Sequence, residues 1–433
     1  MIQIGNILRI INHLLILLKK NHRIFIYSLI FISILIKLIM LLTYNISQPP
    51  DARKYVNIIK YLGETHNIES NLKLSLKIIS ISPYMKIYPI LIYFFGKTAI
   101  QILQILFSSI AIYLIFHICK FLTKDIITAC IAAFLFFMNP FFIYYSLLFQ
   151  YETLFMFFIL LGIFLFLKNL KITSYFFLIL CIFFNPVIEI GLIVFVFLSS
   201  KYFFNCSLIK SFKNVFLFLC IYSIFLSFSV YNNYKVFGSY ERFYTNSILA
   251  LEYNEVYEKH GLNFEKIEDF FKEITKDECP ENLNKKNDLV YRLTELKMCT
   301  EKVLNEYAFN YIKNSKNWGQ IIKNIFVRAG RLFSIYPYDT NEFHVKIVSS
   351  IYYIFLYFFL LVFILKLHFL NNKNFYPYIF LCLISLSIYL LLHAVFRYRV
   401  SYDPLLILFA SYSIKNLINS TNQRYYEKKK FKT

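Results

Sequence analysis

Long apolar runs alternate with short basic or polar connectors along most of this chain. Many of the runs are roughly 20 residues long, which is the length that a helix needs to cross a ~30 Å hydrocarbon core. One water-soluble core cannot bury so many apolar runs, whereas a bilayer accommodates them when each backbone hydrogen-bonds to itself in a helix. The pattern therefore predicts an all-α polytopic membrane protein.

The runs predict about ten membrane-spanning helices with both termini in the cytoplasm. The stretch at 174–204 is too long for one span and is interrupted by Asn185-Pro186 and Glu189, so we expect two short helices there. This split places the basic C-terminal tail inside, as the positive-inside rule requires. The other predicted spans lie at 24–44, 99–121, 126–145, 147–167, 215–231, 347–365, 375–394 and 404–418.

Three parts of the chain follow from these spans. Residues 1–231 form an N-terminal transmembrane module, whose first external loop at 45–86 is predicted to hold amphipathic helices along the membrane interface. Residues 232–346 form a small external domain that is mainly helical. Residues 347–433 contain the last transmembrane helices and a basic cytoplasmic tail.

Composition agrees with a bilayer as the main partner, since 58% of residues are apolar and 20% aromatic. The net charge of +21 comes from Lys and Arg mostly at span ends and in short connectors, where anionic lipid head groups attract them. The sequence shows neither a nucleic-acid motif nor metal-ligand spacing, so we expect no nucleic acid, metal or cofactor. The compact loops favour a bacterial inner membrane, with the external side in the periplasm.

Two of the eight cysteines, Cys279 and Cys299, share a polar segment, whereas the others lie in or beside apolar runs. They could form a disulfide if that segment faces an oxidising compartment. We expect them to remain unpaired, with the disulfide as the alternative.

Asp51 is the candidate catalytic base. It lies just past the first predicted span and follows Pro49-Pro50, which hold the chain extended at the membrane surface. The alternative is structural, because Asp51 can cap a helix that begins at Ala52. Lys86, near the end of the same loop, can bind a phosphate as a point charge or simply lie at the interface.

A basic group near the outer end of the ninth predicted span contains His393, Arg397 and Arg399. Guanidinium groups match phosphate oxygens, so these residues are candidate ligands of a lipid-linked phosphate. The alternative is that they only extend to the lipid head groups. Glu152 and Glu189 lie near the outer ends of apolar helices, where a carboxylate needs a partner or a water-filled cavity, and both are further site candidates.

Five stretches carry a resemblance to a known family. They are Pro-Asp-Ala-Arg-Lys-Tyr at 50–55; Asn139-Pro140 to Tyr145-Ser146 with Glu152; Asn-Tyr-Lys-Val-Phe-Gly at 233–238; Tyr-Ile-Lys-Asn at 311–314 with Arg328 and Arg331; and 393–404. In order, spacing and predicted side of the membrane they resemble the GT-C membrane glycosyltransferases. The similarity is to the bacterial relatives of the dolichyl-phosphate-mannose:protein mannosyltransferases and of the lipid A aminoarabinose transferases. Each motif alone is weak, but together they cover most of the chain.

The resemblance implies an inverting glycosyltransferase with a polyprenyl-phosphate sugar donor, a periplasmic or lumenal active site and Asp51 as the base. Lys86 or Arg397 would stabilise the leaving phosphate, while Lys54 and Tyr55 match positions that follow the family's aspartate. Many relatives have two adjacent acidic residues where this chain has Asp51-Ala52, so metal dependence is not expected. The acceptor, whether glycan, lipid or protein, stays open.

Other classes of membrane protein are alternatives. A transporter or flippase of a lipid-linked glycan also needs a groove for the prenyl chain, but this chain shows no internal repeat and has a large external segment. An O-antigen polymerase or ligase is also polytopic with a large external loop, although the early Pro-Pro-Asp loop fits it poorly. A third alternative is a scaffold without catalytic activity.

Overall fold

A computed structural model of the chain describes most of the predicted helical segments. The residues that it describes are 13–43, 95–148, 151–237, 253–254, 256, 264–276, 278–279, 297–335, 343–366, 372–392 and 396–430. All regular secondary structure within these residues is helical, without a strand. The predicted all-α fold is therefore confirmed for this part of the chain.

The α-helices of these ranges are numbered in chain order. They are α1 (His22–Thr43), α2 (Lys97–Thr123), α3 (Ile126–Phe137), α4 (Pro140–Tyr145), α5 (Glu152–Leu167), α6 (Lys171–Phe184), α7 (Glu189–Tyr202), α8 (Leu208–Phe237), α9 (Phe264–Thr275), α10 (Lys297–Lys313), α11 (Trp318–Leu332), α12 (Phe343–Leu365), α13 (Tyr376–Leu391), α14 (Phe396–Val400) and α15 (Asp403–Lys430). Short 3-10 turns lie at Pro186–Ile188, Ser315–Asn317 and Lys373–Phe375.

Several of these helices can cross a bilayer. Five helical stretches within the described residues are long and apolar enough: His13–Thr43, Lys97–Thr123, Leu208–Tyr231, Val345–Leu365 and Lys373–Leu391. Other predicted spans coincide with shorter apolar helices, among them α3, α5 and α6, which have 12, 16 and 14 residues. The length and composition of these helices thus indicate a membrane protein.

Asparagines mark the breaks between several helices. α6 ends before Asn185-Pro186 and α7 starts at Glu189, so the predicted division of 174–204 is confirmed. A break at Asn139-Pro140 also divides the predicted span at 126–145 into α3 and α4. Proline lacks an N–H and fits the first turn of a helix, so each Asn-Pro pair ends one helix and begins the next helical turn.

The side chains of Asn139, Asn185 and Asn372 hold these turns against other helices. Each side-chain oxygen accepts the backbone N–H two residues further on, at 2.9, 3.3 and 3.1 Å respectively. Each side-chain nitrogen reaches another element: a tyrosine of α12, a tyrosine of α13 and the carbonyl of Leu122, respectively. One residue type therefore both starts the turn and fixes its position in the bundle.

Contacts between helix ends show which turns share an end of the bundle. Nζ of Lys171, at the start of α6, lies 5.6 Å from the ring centroid of Phe204, just after α7. The ring centroids of Phe121 in α2 and Phe203 are 5.9 Å apart. The turns after α2, α5 and α7 therefore lie together, and we call this the basic end. Their shared position agrees with the predicted alternation of spans.

Two glycines allow helices to pack closely. A Cβ added at Gly191 in α7 would lie 2.8 Å from Oγ of Ser385 and 3.3 Å from the carbonyl oxygen of Leu381, both in α13. One added at Gly162 in α5 would lie 2.7 Å from Cδ2 of Leu178 in α6. Such small residues let membrane helices approach each other more closely than a larger side chain would allow.

The polar segment between α8 and α12 contains α9, α10 and α11 in its described part. Cys279 and Cys299 form a disulfide here, with their Cα atoms 5.8 Å apart. The expectation that they remain unpaired is therefore wrong. The end of α9 and the start of α10 come together because these two helices pack against each other, a contact that the spacing of the cysteines does not reveal.

Candidate functional site

A buried ion pair joins Arg399 of α14 to Asp403 at the start of α15. Nε of Arg399 lies 3.2 Å from Oδ1 of Asp403, and both side chains are 0% exposed. Removing two charges from water is costly unless further polar groups satisfy them. The neighbouring helices supply such groups, and we call this end of the bundle, opposite the basic end, the ion-pair end.

Asp403 receives polar contacts from two other elements. The hydroxyl of Tyr353 in α12 donates a hydrogen bond to Oδ2 of Asp403. Nδ2 of Asn139 lies 3.5 Å from the same oxygen. The carboxylate therefore connects the turn before α4 with α12 and α15.

Arg399 is held from the other side. Its Nη1 donates to the carbonyl oxygen of Ser334, at 3.0 Å, and to the hydroxyl of Tyr357. Its guanidinium carbon lies 4.2 Å from the centroid of the Tyr353 ring. In this position the guanidinium contacts other parts of the bundle, so Arg399 positions α14. Its predicted contact with a donor phosphate stays a prediction.

Glu152 lies beside this ion pair. It is buried in the first turn of α5 and lines a small cavity together with Tyr145, Val400 and Ser401. Val400 ends α14 and Ser401 follows it, so two segments that the sequence singled out separately meet here.

Glu189 is half-buried in the first turn of α7. The turn before it is held by the hydrogen bond from Asn185 to the hydroxyl of Tyr389. The Tyr389 ring in turn stacks on the ring of Tyr398, with their centroids 4.8 Å apart. Glu189 therefore begins a helix whose first turn is connected to α14 through these two tyrosines.

A second buried arginine, Arg328 of α11, holds the C-terminal end of α13. Its Nη1 donates to the carbonyl oxygens of Leu390 and Leu391, at 2.9 and 3.0 Å, and to the hydroxyl of Tyr253, at 2.7 Å. The last carbonyls of a helix lack partners within the helix and carry partial negative charge, so a guanidinium is a favourable cap. Arg328 thereby connects the polar segment to the transmembrane helices.

The sequence analysis did not identify this role of Arg328, nor Asp403 as a partner of Arg399. One signal was present for Arg328. It lies four residues from both Asn324 and Leu332, and these three are the buried residues of α11. An arginine on the buried stripe of an amphipathic helix requires polar partners.

Several predicted site residues cannot be placed in this geometry. Those outside the described residues are Asp51, Lys54, Tyr55, Lys86 and His393, together with the side chain of Arg397. The backbone of Arg397 belongs to α14, two residues before Arg399. Among the described residues, no group of three His, Cys, Asp or Glu side chains could hold a metal ion.

Neither protein-family models nor curated proteins match this chain. The resemblance to the GT-C enzymes therefore depends on the sequence stretches themselves. Contacts among the described residues bring parts of three of these stretches to the ion-pair end: 139–152, the region of Arg328, and 396–404.

Proposed function

We propose that the protein is a GT-C-like membrane glycosyltransferase. It transfers a sugar from a polyprenyl-phosphate donor to an acceptor on the non-cytoplasmic face, with inversion at the anomeric carbon. The donor's prenyl chain lies among the apolar helices, and the acceptor is a glycan, a lipid or a protein.

The convergence of distant stretches at the ion-pair end is the observation that carries this proposal. Asn139 and Asp403 are 264 residues apart in sequence, yet their side chains approach to 3.5 Å. Glu152 and Ser401 line the same small cavity in this region. A resemblance spread along the chain gains weight when its parts form one end of a bundle, because an active site requires such an arrangement.

The proposed reaction balances with the residues that the sequence singles out. The Asp51 carboxylate takes the proton of an acceptor hydroxyl, whose oxygen attacks the anomeric carbon from the face opposite the phosphate. The bond between that carbon and the phosphate oxygen breaks, and its electron pair leaves with the polyprenyl phosphate. Lys86, His393 and Arg397 stabilise the charge on this leaving group.

In this proposal Arg399 acts on the reaction indirectly, through the position of α14. Because it fixes α14 through Asp403 and Tyr357, it holds the backbone that carries Arg397. Arg399 is therefore a positioning residue in this proposal. Glu152, Glu189, Lys54 and Tyr55 remain second-tier candidates for binding the sugar or the acceptor.

The proposed topology has ten spans with both termini in the cytoplasm of a bacterial cell and the ion-pair end at the periplasmic face. The shorter helices α3, α5, α6 and α7 and the helix α15 complete the count. The positions of the lysines at the basic end support this orientation, since positive residues favour the cytoplasmic side.

The deciding experiment measures transfer of a radiolabelled sugar from a polyprenyl-phosphate donor to membrane acceptors. Cells carrying the wild type are compared with Asp51→Asn at matched expression. Asp269→Asn is the control, because Asp269 is a well-exposed acidic residue of the polar segment. We expect Asp51→Asn to abolish transfer while donor binding is retained, and the control to behave as the wild type.

Equal transfer by the wild type and Asp51→Asn would refute the role of Asp51 as the base. The structural alternative, in which Asp51 caps a helix, would then be favoured. Absence of transfer by the wild type, together with movement of a lipid-linked glycan across the membrane, would favour the transporter alternative.

A further inference from the structure

A large cavity lies at the basic end, away from the candidate active site. Its volume is about 810 Å³, within the range of roughly 300–1,000 Å³ that is usual for ligand pockets. The C-terminal ends of α2, α5 and α7, the turns after them and the 3-10 turn before α13 line it. It is therefore built by the ends of several helices that share one face of the bundle.

Three lysines give this cavity its charge: Lys120, Lys124 and Lys168. None of the described residues that line the cavity is acidic. The acidic residue in the same turn, Asp125, caps α3 by accepting the N–H of Ile127 at 3.3 Å and that of Thr128 at 2.9 Å. Its carboxylate is thus occupied by backbone N–H groups of α3, and the charged side chains that line the cavity are lysines.

The backbone at the rim holds one of these lysines in a costly conformation. Among the described residues, the non-glycine positions with positive φ are Lys124 at 53°, Asn169 at 62° and Asn205 at 47°. The backbone N–H of Lys124 caps α2 by donating to the carbonyl of Lys120 at 2.9 Å, which any residue with an N–H could do. Asparagine is enriched in this left-handed region because its short polar side chain can hydrogen-bond locally, whereas the long side chain of lysine offers no such advantage. Asparagine or glycine would adopt this backbone at lower cost, which indicates that the charge of Lys124 offsets the cost.

The walls of the cavity are aromatic. Phe121, Phe164, Tyr202 and Phe203 line it, and Nζ of Lys168 lies 5.7 Å from the centroid of the Phe164 ring. A phosphate ion alone would gain little from such walls. The glycerol and first methylene groups of a lipid would cover them, while the lysines attract its phosphate as point charges.

We propose that this cavity is an anion site for a phosphate group, occupied by the head group of an anionic lipid on the face opposite the candidate active site. The proposal does not depend on the glycosyltransferase activity. A simpler explanation for the lysines is that they offset the partial negative charge at the C-terminal ends of α2 and α5 and attract anionic lipid without a defined site. The two explanations differ in whether the positions of the lysines matter.

The experiment measures lipid binding to the purified full-length protein in a neutral detergent by native mass spectrometry. The probe is phosphatidylglycerol, with phosphatidylcholine as the uncharged comparison. One variant carries Lys124→Asn alone, and a second combines Lys120→Gln, Lys124→Asn and Lys168→Gln. The matched control replaces three exposed lysines outside the cavity by glutamine: Lys19, Lys20 and Lys210.

We expect about fivefold weaker binding of phosphatidylglycerol for Lys124→Asn and about a hundredfold for the triple cavity variant, at ~1 kcal/mol per lysine. The control should change binding less than twofold, although its net charge changes equally. Lys124→Asn should also unfold at no lower temperature than the wild type, because asparagine tolerates the left-handed backbone. This variant therefore separates binding from folding.

Inorganic phosphate distinguishes the two sources of the ligand. If millimolar phosphate leaves lipid binding unchanged, the site takes a lipid head group; if phosphate displaces the lipid and requires the same lysines, the site takes free phosphate. Both results uphold the anion site. Equal losses in the cavity and control variants, or full binding by the triple cavity variant, would overturn it.

Discussion

Arg399 and Asp403 form an ion pair at 3.2 Å from which solvent is excluded. Removing one partner leaves the other charge buried, which typically costs about 3–5 kcal/mol, whereas replacing both by apolar residues costs much less. We expect Asp403→Leu and Arg399→Met each to lower the free energy of unfolding strongly, and the double variant Arg399→Met/Asp403→Leu to recover a large part of the loss.

Unfolding in detergent, combined as a double-mutant cycle, measures this coupling. Additive losses would mean that the two charges do not depend on each other. In the transfer assay, Arg399→Lys should lower turnover through misplacement of α14, since a lysine cannot reproduce the planar guanidinium contacts.

Arg328 links the polar segment to the end of α13 through four interactions with Tyr253, Leu390 and Leu391. We expect Arg328→Met to cost about 1–3 kcal/mol, because the hydroxyl and carbonyls lose a charged donor. Lys323→Met is the control, since Lys323 is an exposed residue of the same helix, and its effect should stay within about 0.5 kcal/mol. Thermal unfolding and proteolysis of the polar segment report both. Equal sensitivity of the two variants would contradict the link.

Gly191 lies where α7 meets α13, and a methyl group there would collide with Ser385. Gly191→Ala should therefore destabilise the protein by about 1–3 kcal/mol. Gly330→Ala should instead be neutral or stabilising by up to about 1 kcal/mol, because Gly330 lies in α11 with nothing within 4 Å of an added Cβ. The midpoints of thermal unfolding of the two variants, compared with the wild type, check the opposite signs. A tolerated Gly191→Ala would mean that α7 and α13 can separate at no cost.

The Cys279–Cys299 disulfide predicts a redox-dependent labelling pattern. A polar maleimide should modify these two cysteines only after reduction, which gel mobility detects in a variant whose other cysteines are replaced. Cys279→Ser/Cys299→Ser should lose about 3 kcal/mol of stability, the value expected from the closed-loop entropy at a sequence separation of 20. Labelling without reduction would show that the bond does not form in the cell, and would argue against an exported polar segment.

The sequence predicted the features that depend on local chemistry. Apolar runs predicted the helices, and Asn185-Pro186 predicted the break between α6 and α7. Proline ends a helix locally, because it lacks a backbone N–H and its ring clashes with the preceding turn. It did not predict the partners of the Arg399–Asp403 pair, since Tyr353 and Asn139 belong to elements distant in sequence, whose packing is unknown before folding. The disulfide was missed for the same reason. Asp51 remains a sequence prediction, as it lies outside the described residues.

The break at Asn185-Pro186 has a consequence for the surrounding lipid. α6 has 14 residues and rises about 21 Å, so its far end stops about 9 Å short of a ~30 Å hydrocarbon core when Lys171 sits at the opposite surface. Such hydrophobic mismatch is relieved when the bilayer thins locally, at a fraction of a kcal/mol per Å. A thinned patch beside α6 and α7 would lower the head groups toward Asn185 and Glu189. Lipid thickness is thus a variable to which this protein should respond.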